Sequence, residues 1–131
     1  MILIEVPRRL EEIPDAKAGL CAPSEWSPKQ ELGHLLDSAA NNHQQIVRAQ
    51  LEDQPALPGY DGERWVELHD YQGRDWNELI SLWKALNTQL LAAARAVPDS
   101  AWSRTCTIAD SKPWSSFWVE QGFSPAIGTF K

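Results

Sequence analysis

Clusters of basic residues are missing from this sequence, which has 12 Lys and Arg against 18 Asp and Glu and a net charge of −6. Because nucleic acids and anionic membrane surfaces attract clustered positive charge, we expect neither to be a main partner. Long apolar runs are also lacking. The short apolar start MILIEV already contains Glu5 and is followed at once by Pro7 and two arginines, so we expect neither a signal peptide nor a membrane span there. We expect a soluble, cytoplasmic protein.

Cysteine is scarce, and the common catalytic motifs are absent. Cys21 and Cys106 lie far apart and fit no C-x-x-C pattern. At 131 residues the chain is long enough to bury a core without disulfide or metal support. An unpaired thiol in a reducing cytoplasm and one long-range disulfide both remain open. The motifs G-x-S-x-G, G-x-x-x-x-G-K-[ST], H-E-x-x-H and G-x-G-x-x-G do not occur, so no standard nucleophile, phosphate or zinc-protease motif indicates the chemistry.

Helical periodicity is the strongest pattern that the sequence does have. Ser27, Pro28 and Gln30 form an S-x-x-Q capping box with proline at the first helical position, which predicts a long helix from 28 to about 52. A D-x-x-E start predicts a second long helix over 75–96. Apolar residues at a 3.6-residue period predict a buried stripe on each helix. The stripes are Leu32, Leu35, Leu36, Ala39, Ile46 and Val47 on the first, and Trp76, Leu79, Ile80, Trp83, Leu86, Leu90 and Ala94 on the second.

The remaining segments predict shorter elements and complete an all-α fold class. Short helices are expected near 2–13 and 64–71, and no strand pattern of any length appears. A four-helix bundle needs a fourth long helix, but after Pro113 the sequence provides barely two helical turns. We therefore expect a single domain over 1–131 with an atypical tail from about residue 114. The stripes on the two long helices should then be exposed or covered by a partner chain.

Histidine is the residue type most suited to a site in such a bundle. For His34, His43 and His69 the ordinary interpretation is a surface or half-buried imidazole with one hydrogen bond, because a metal site needs three or four converging ligands. His34 differs, since it lies one helical turn before Asp37 on a face that can point into a bundle core. Asn41 continues this polar face. His34 is thus the best single candidate for a ligand.

Three segments of the chain carry motifs of a known family. They are the run WSPKQELGHLLDSAANNH beginning at Trp26, the PGYD loop ending at Asp61, and the helix segment LISLWKALN around Trp83. Together they resemble the DinB-like superfamily of metal-binding helical bundles over about residues 24–113. The resemblance implies an up-and-down four-helix bundle that forms a homodimer. It also implies a likeness to transferases that use a small-molecule thiol.

The resemblance further implies a divalent metal, zinc or nickel, held by three histidines. His34 falls on the first ligand position, while Asp37 and Asn41 fall beside it, where they would orient ligands or substrate. Tyr60 would edge the cleft. The other two ligands, one turn apart on the last helix, have no counterpart here, because no histidine follows residue 69. A shifted reading frame and a divergent member that has lost its metal both explain this departure, and sequencing the coding DNA distinguishes them.

Two functional hypotheses follow from these observations. The first is a metal-dependent thiol transferase or hydrolase that acts on a small-molecule thiol or electrophile and is impaired in metal binding in this chain. In such chemistry the metal lowers the pKa of a bound thiol or water and so generates the nucleophile. The second is a non-catalytic helical bundle that acts by self-association or by binding a partner protein.

Overall fold

The structure, a computed structural model, describes residues 1–102 and 104 together with two short strands farther along the chain. The helices, in chain order, are α1 (Ile2–Glu11), α2 (Asp15–Ala18), α3 (Pro28–Leu51), α4 (Gly62–His69) and α5 (Trp76–Arg95). Single 3-10 turns occur at Tyr71–Gly73 and Asp99–Ala101, and β1 (Phe123–Ser124) pairs antiparallel with β2 (Thr129–Phe130). None of the helices described is both long and apolar enough to span a membrane.

The two long helices match their predicted ranges to within a residue at each end. Of the short helices, α1 and α4 are also found near their predicted positions, whereas α2 was not predicted. The two-residue strands were not predicted, because two residues are too few to show an alternating pattern. The predicted short helix after Pro113 lies outside the described residues.

The starts of both long helices are fixed by the side chains that the sequence indicated. At the start of α3 the Ser27 amide donates to Gln30 Oε1 at 2.9 Å, and the Gln30 amide donates back to Ser27 Oγ at 3.3 Å. At the start of α5 the Glu78 amide donates to Asp75 Oδ2 at 3.3 Å. Each interaction satisfies an amide that has no partner within the first turn of the helix. The S-x-x-Q box is thus confirmed in both of its bonds, and the D-x-x-E start is confirmed in the bond to Asp75.

A second carboxylate, from α2, ties the start of α5 to the N-terminal segment. Asp15 Oδ1 accepts from the Trp76 amide at 2.9 Å, and Lys29 Nζ lies 3.3 Å from the same oxygen. The Trp76 indole N–H donates to the Leu10 carbonyl at 3.0 Å. The amide of Trp76, assisted by the Lys29 ammonium, lowers the pKa of Asp15 below its usual value. These bonds fix the direction in which α5 leaves the preceding turn.

The chain divides into two compact units, each with buried apolar residues of its own. The first unit comprises 1–40 and 61–88, and the second comprises 41–60 and 89–131. The largest buried apolar side chains of the first unit are Leu3, Leu32, Leu36, Tyr71, Trp76, Leu79, Ile80 and Trp83. Those of the second unit, within its described residues, are Ile46, Leu90, Leu91 and Val97.

The apolar stripes are mostly buried, so the expectation that they would be exposed is wrong. On α5 only Leu86 of the predicted stripe is half-buried, and its other members are buried. On α3 the expected burial of Leu35 and Val47 is also wrong, since these side chains are 51% and 37% exposed. Both residues flank the buried row at the edge of the stripe. Helical periodicity indicates the direction of a buried face but not its width.

Candidate functional site

A buried carboxylate on α3 organises a polar cluster in the first unit. Asp37 is only 3% exposed. Its Oδ1 accepts a hydrogen bond from the Tyr71 hydroxyl at 2.6 Å, and His69 Nδ1 lies 3.1 Å from the same oxygen. A buried carboxylate is tolerated only where donors compensate for the water it has lost. We call these three residues, Asp37, His69 and Tyr71, the carboxylate cluster.

Tyr71 reaches Asp37 because a glycine on α3 leaves room for its ring. Gly33 lies one helical turn before Asp37, and a Cβ built on it would come within 2.0 Å of Tyr71 Cδ2 and 2.3 Å of Cγ. No real side chain tolerates such distances, so the ring packs directly against the helix backbone at this position. Tyr71 itself is buried. The pair of Gly33 and Tyr71 therefore determines where the hydroxyl meets the carboxylate.

One residue in a left-handed conformation brings His69 and Tyr71 to the same oxygen. Helix α4 ends at His69, and Asp70 follows with φ 47° and ψ 50°. Asp is among the few non-glycine residues that adopt this region readily, since its short side chain can bond locally. The chain then continues into the 3-10 turn that starts at Tyr71. Without this reversal an ordinary helical continuation would carry the side chains at 69 and 71 to different sides of the helix.

Aromatic rings hold the imidazole of His69 in place. The ring centroid of Trp65 lies 5.9 Å from that of His69 with the planes at 65°, and Tyr71 lies 5.1 Å away at 35°. Arg74 covers the Tyr71 ring at 5.6 Å from its centroid. Burial, followed by the hydrogen bond to the Asp37 carboxylate, raises the pKa of Tyr71 well above its usual range. The phenol therefore stays protonated and acts as a donor to Asp37.

His34, the predicted metal ligand, occupies a separate environment on α3. Its side chain is half-buried, and its ring packs at 5.2 Å from that of Trp26. Its Nδ1 is buried and makes no hydrogen bond with any residue that the structure describes. A buried nitrogen without a hydrogen-bond partner costs the folded state about 1–3 kcal/mol, until a ligand or solvent binds it. This unsatisfied nitrogen keeps His34 a candidate ligand.

The predicted metal site is not assembled by the described residues. Within 1–102 and 104 no three His, Cys, Asp or Glu side chains converge as a group able to hold a metal ion. Cys21 is exposed and its thiol is free, while Cys106 lies outside the described residues. The donors present, one imidazole with an unsatisfied nitrogen, therefore do not fit a three-histidine site by themselves.

The predicted substrate contacts fall in two units. Asp37 belongs to the first unit with His34, whereas Asn41 and Tyr60 belong to the second. Both of the latter side chains are half-buried and engaged in interactions. Their roles beside a ligand stay predictions.

Sequence reasoning did not assign roles to His69 and Tyr71. The available signal was weak: His69 lies two residues before the predicted end of this helix, and Asp70, which follows it, is a residue type that adopts a left-handed backbone. Tyr71 is 34 residues from Asp37, and only the tertiary fold brings them together.

Comparison with known proteins gives a consistent result. A sequence model of the DinB superfamily matches residues 5–122. Two curated relatives carry the name "Putative metal-dependent hydrolase". YfiT of Bacillus subtilis is 28% identical over 116 residues, 85% of this chain and 65% of the relative. OB0782 of Oceanobacillus iheyensis is 37% identical over 46 residues, 35% of this chain and 27% of the relative. The chain thus spans less than two thirds of either curated relative.

The solved structure of YfiT from Bacillus subtilis also aligns with this chain. The TM-score is 0.73 at 23% identity, over 98% of this chain and 73% of the YfiT chain. That structure is described as a four-helix bundle of unusual topology. The predicted all-α, four-helix-bundle fold class is confirmed.

Proposed function

The chain belongs to the DinB superfamily, and on this premise we propose that it transforms a small molecule at the polar face of α3, by hydrolysis or thiol transfer. The observation that carries the proposal is the buried carboxylate of Asp37, one helical turn from His34. A charged group in such a place destabilises the fold unless it is fully compensated, and such groups concentrate at functional sites. The hydrolase names of the curated relatives support the same class of reaction.

Those names suggest a metal. We propose that it is a divalent ion, zinc or nickel, and that His34 contacts it in this chain. A single imidazole leaves most of the coordination shell to water, so geometry selects the ion weakly. We therefore propose that metal binding is impaired. Complete structural zinc sites bind the ion with a free energy of about 10–16 kcal/mol. We expect dissociation constants above about 1 µM for this chain, which corresponds to a binding free energy of less than about 8 kcal/mol.

Calorimetric titration with zinc and nickel chloride tests the role of His34. The proteins are the untagged wild type, His34→Ala, and His43→Ala as the matched control on the same helix. We expect the weak binding of the wild type to be lost in His34→Ala and kept in His43→Ala. Equal binding by all three proteins would remove His34 from the proposal, and nanomolar binding would refute the impairment.

Activity assays test the reaction class. Hydrolysis is followed with p-nitrophenyl acetate, and thiol transfer is followed with cysteamine and 1-chloro-2,4-dinitrobenzene. Asp37→Asn should lose the activity of the wild type, whereas Glu67→Gln, an exposed acid on α4, should keep it. An Asp37→Asn protein that is folded and fully active would contradict the proposal.

A second candidate function, self-association as a homodimer or binding of a partner protein, is favoured by exposed apolar side chains. Leu35 and Leu68 of the first unit are 51% and 68% exposed, and Leu51 of the second is 77% exposed. Light scattering after size exclusion, over a 100-fold range of concentration, tests it. A dimer that Leu35→Lys dissociates would support this function, and a monomer throughout would argue against self-association.

A further inference from the structure

We infer that His69 is the proton acceptor of this chain, with Asp37 and Tyr71 as the residues that position it. His69 Nδ1 lies 3.1 Å from Asp37 Oδ1, and the side chain as a whole is 45% exposed. One ring nitrogen thus contacts a buried carboxylate, while the imidazole remains accessible to a small molecule. The inference depends on the proposed function only for its substrate class. It requires no metal.

The environment of Asp37 determines which nitrogen carries the proton. An ionised carboxylate accepts hydrogen bonds and donates none, so a neutral imidazole beside it is favoured with its proton on Nδ1. Tyr71 donates to the same Oδ1 at 2.6 Å, which keeps the carboxylate oriented. Nε2 is then left with its lone pair. A free imidazole in water favours the opposite arrangement, with the proton on Nε2, so the two states can be distinguished by experiment.

The ring is also held before any substrate arrives. Trp65 contacts it from one element, α4, and Tyr71 contacts it from the following turn. The left-handed Asp70 lies between His69 and Tyr71 and lets both side chains reach Asp37 Oδ1. Orientation of a base before the reaction is one of the larger contributions that a protein makes to catalysis.

The arrangement suits hydrolysis of a small, activated carboxylic ester. Nε2 accepts a proton from water as the water oxygen forms a bond to the carbonyl carbon. When the intermediate collapses, the bond from that carbon to the leaving oxygen breaks, and the imidazolium returns its proton to the leaving oxygen. The net result is one acid and one alcohol for each ester and water. A substrate thiol could replace water, its S–H proton passing to Nε2 in the same way.

The first test is the tautomer of His69 in the wild-type protein, from long-range ¹H–¹⁵N NMR correlation at pH 8. We expect the Nδ1–H form for His69, and its replacement by the Nε2–H form in Asp37→Asn, because the amide can donate to Nδ1. His43 is the control and should be the same in both proteins. An Nε2–H tautomer for wild-type His69 would overturn the inference, and this measurement needs no variant to fold.

The second test is kinetic and uses p-nitrophenyl acetate as the probe. General-base catalysis contributes about 10²–10⁴-fold, so kcat/KM should fall by about 100-fold or more in His69→Gln and stay unchanged in His43→Gln. Equal rates for wild type and His69→Gln would overturn the inference. Activity that survives His69→Gln but is lost in His34→Ala would leave the proposed function intact and remove this inference from it.

Discussion

Gly33→Ala is expected to disrupt the carboxylate cluster through a single methyl group. The new Cβ would lie 2.0 Å from Tyr71 Cδ2, 2.3 Å from Cγ and 2.5 Å from Cε2. These atoms belong to the base and edge of a buried ring rather than to a flexible chain end. The ring must therefore move away from α3, and its hydroxyl must leave Asp37.

The magnitude follows from three terms. Overpacking of this kind costs about 1–3 kcal/mol. Loss of a hydrogen bond to a charged group costs about 1.5–3 kcal/mol. The substitution also removes a glycine from a helix interior, which stabilises by about 1 kcal/mol. The net expectation is a loss of about 1.5–5 kcal/mol, a large part of the ~5–15 kcal/mol typical of a domain.

Urea unfolding followed by circular dichroism and tryptophan fluorescence measures this loss. In a Tyr71→Ala background the steric conflict is gone, so Gly33→Ala should instead stabilise by about 0.5–1 kcal/mol. The matched control is Gly19→Ala, where the nearest atom to a new Cβ is Gln72 Nε2 at 3.5 Å. It should change stability by less than about 0.5 kcal/mol. A neutral Gly33→Ala, or the same sign in both backgrounds, would refute the packing described above.

Three further substitutions test neighbouring contacts by chemical unfolding. Tyr71→Phe should lower the free energy of unfolding by about 1.5–3 kcal/mol. Because folding raises the pKa of Tyr71, the wild type should lose stability as the pH rises above about 10, and Tyr71→Phe should not show this decline. In the wild type the lowered pKa of Asp15 contributes stability above about pH 4, and this stability is lost as the pH falls through the pKa of the folded state. Asp15→Asn should therefore make the free energy of unfolding depend less on pH in this acid range. The control is Asp53→Asn, at an exposed position. Asp70→Val should cost about 1–2 kcal/mol and Asp70→Gly should cost almost nothing, because only the valine resists a left-handed backbone.

Local signals in the sequence predicted the helices well. The start of α3 depends on Ser27 and Gln30, which are three residues apart, and the structure contains both of the reciprocal bonds expected. The α5 stripe was predicted correctly apart from Leu86, because a regular apolar row on a helix has one obvious face to bury. Leu35 and Val47 were assigned wrongly since their burial depends on neighbouring elements, which periodicity does not describe.

The candidate site could be predicted only on the element that carries it. Asp37 was singled out by its spacing from His34 on one helix. Its partners His69 and Tyr71 could not be found in that way, because their approach depends on the left-handed turn at Asp70 and on the space above Gly33. The turn is a local backbone state that the sequence indicates only weakly, and the approach of Tyr71 to Gly33 depends on the tertiary fold.

The most direct measurement is a kinetic double-mutant cycle with p-nitrophenyl acetate on wild type, Asp37→Asn, His69→Gln and the combination of both. Residues that act as one unit are strongly non-additive in their effect on kcat/KM. We predict that the double variant is no slower than the slower single variant. Losses that multiply, or single variants as active as the wild type, would contradict the assignment of Asp37 and His69 to one site.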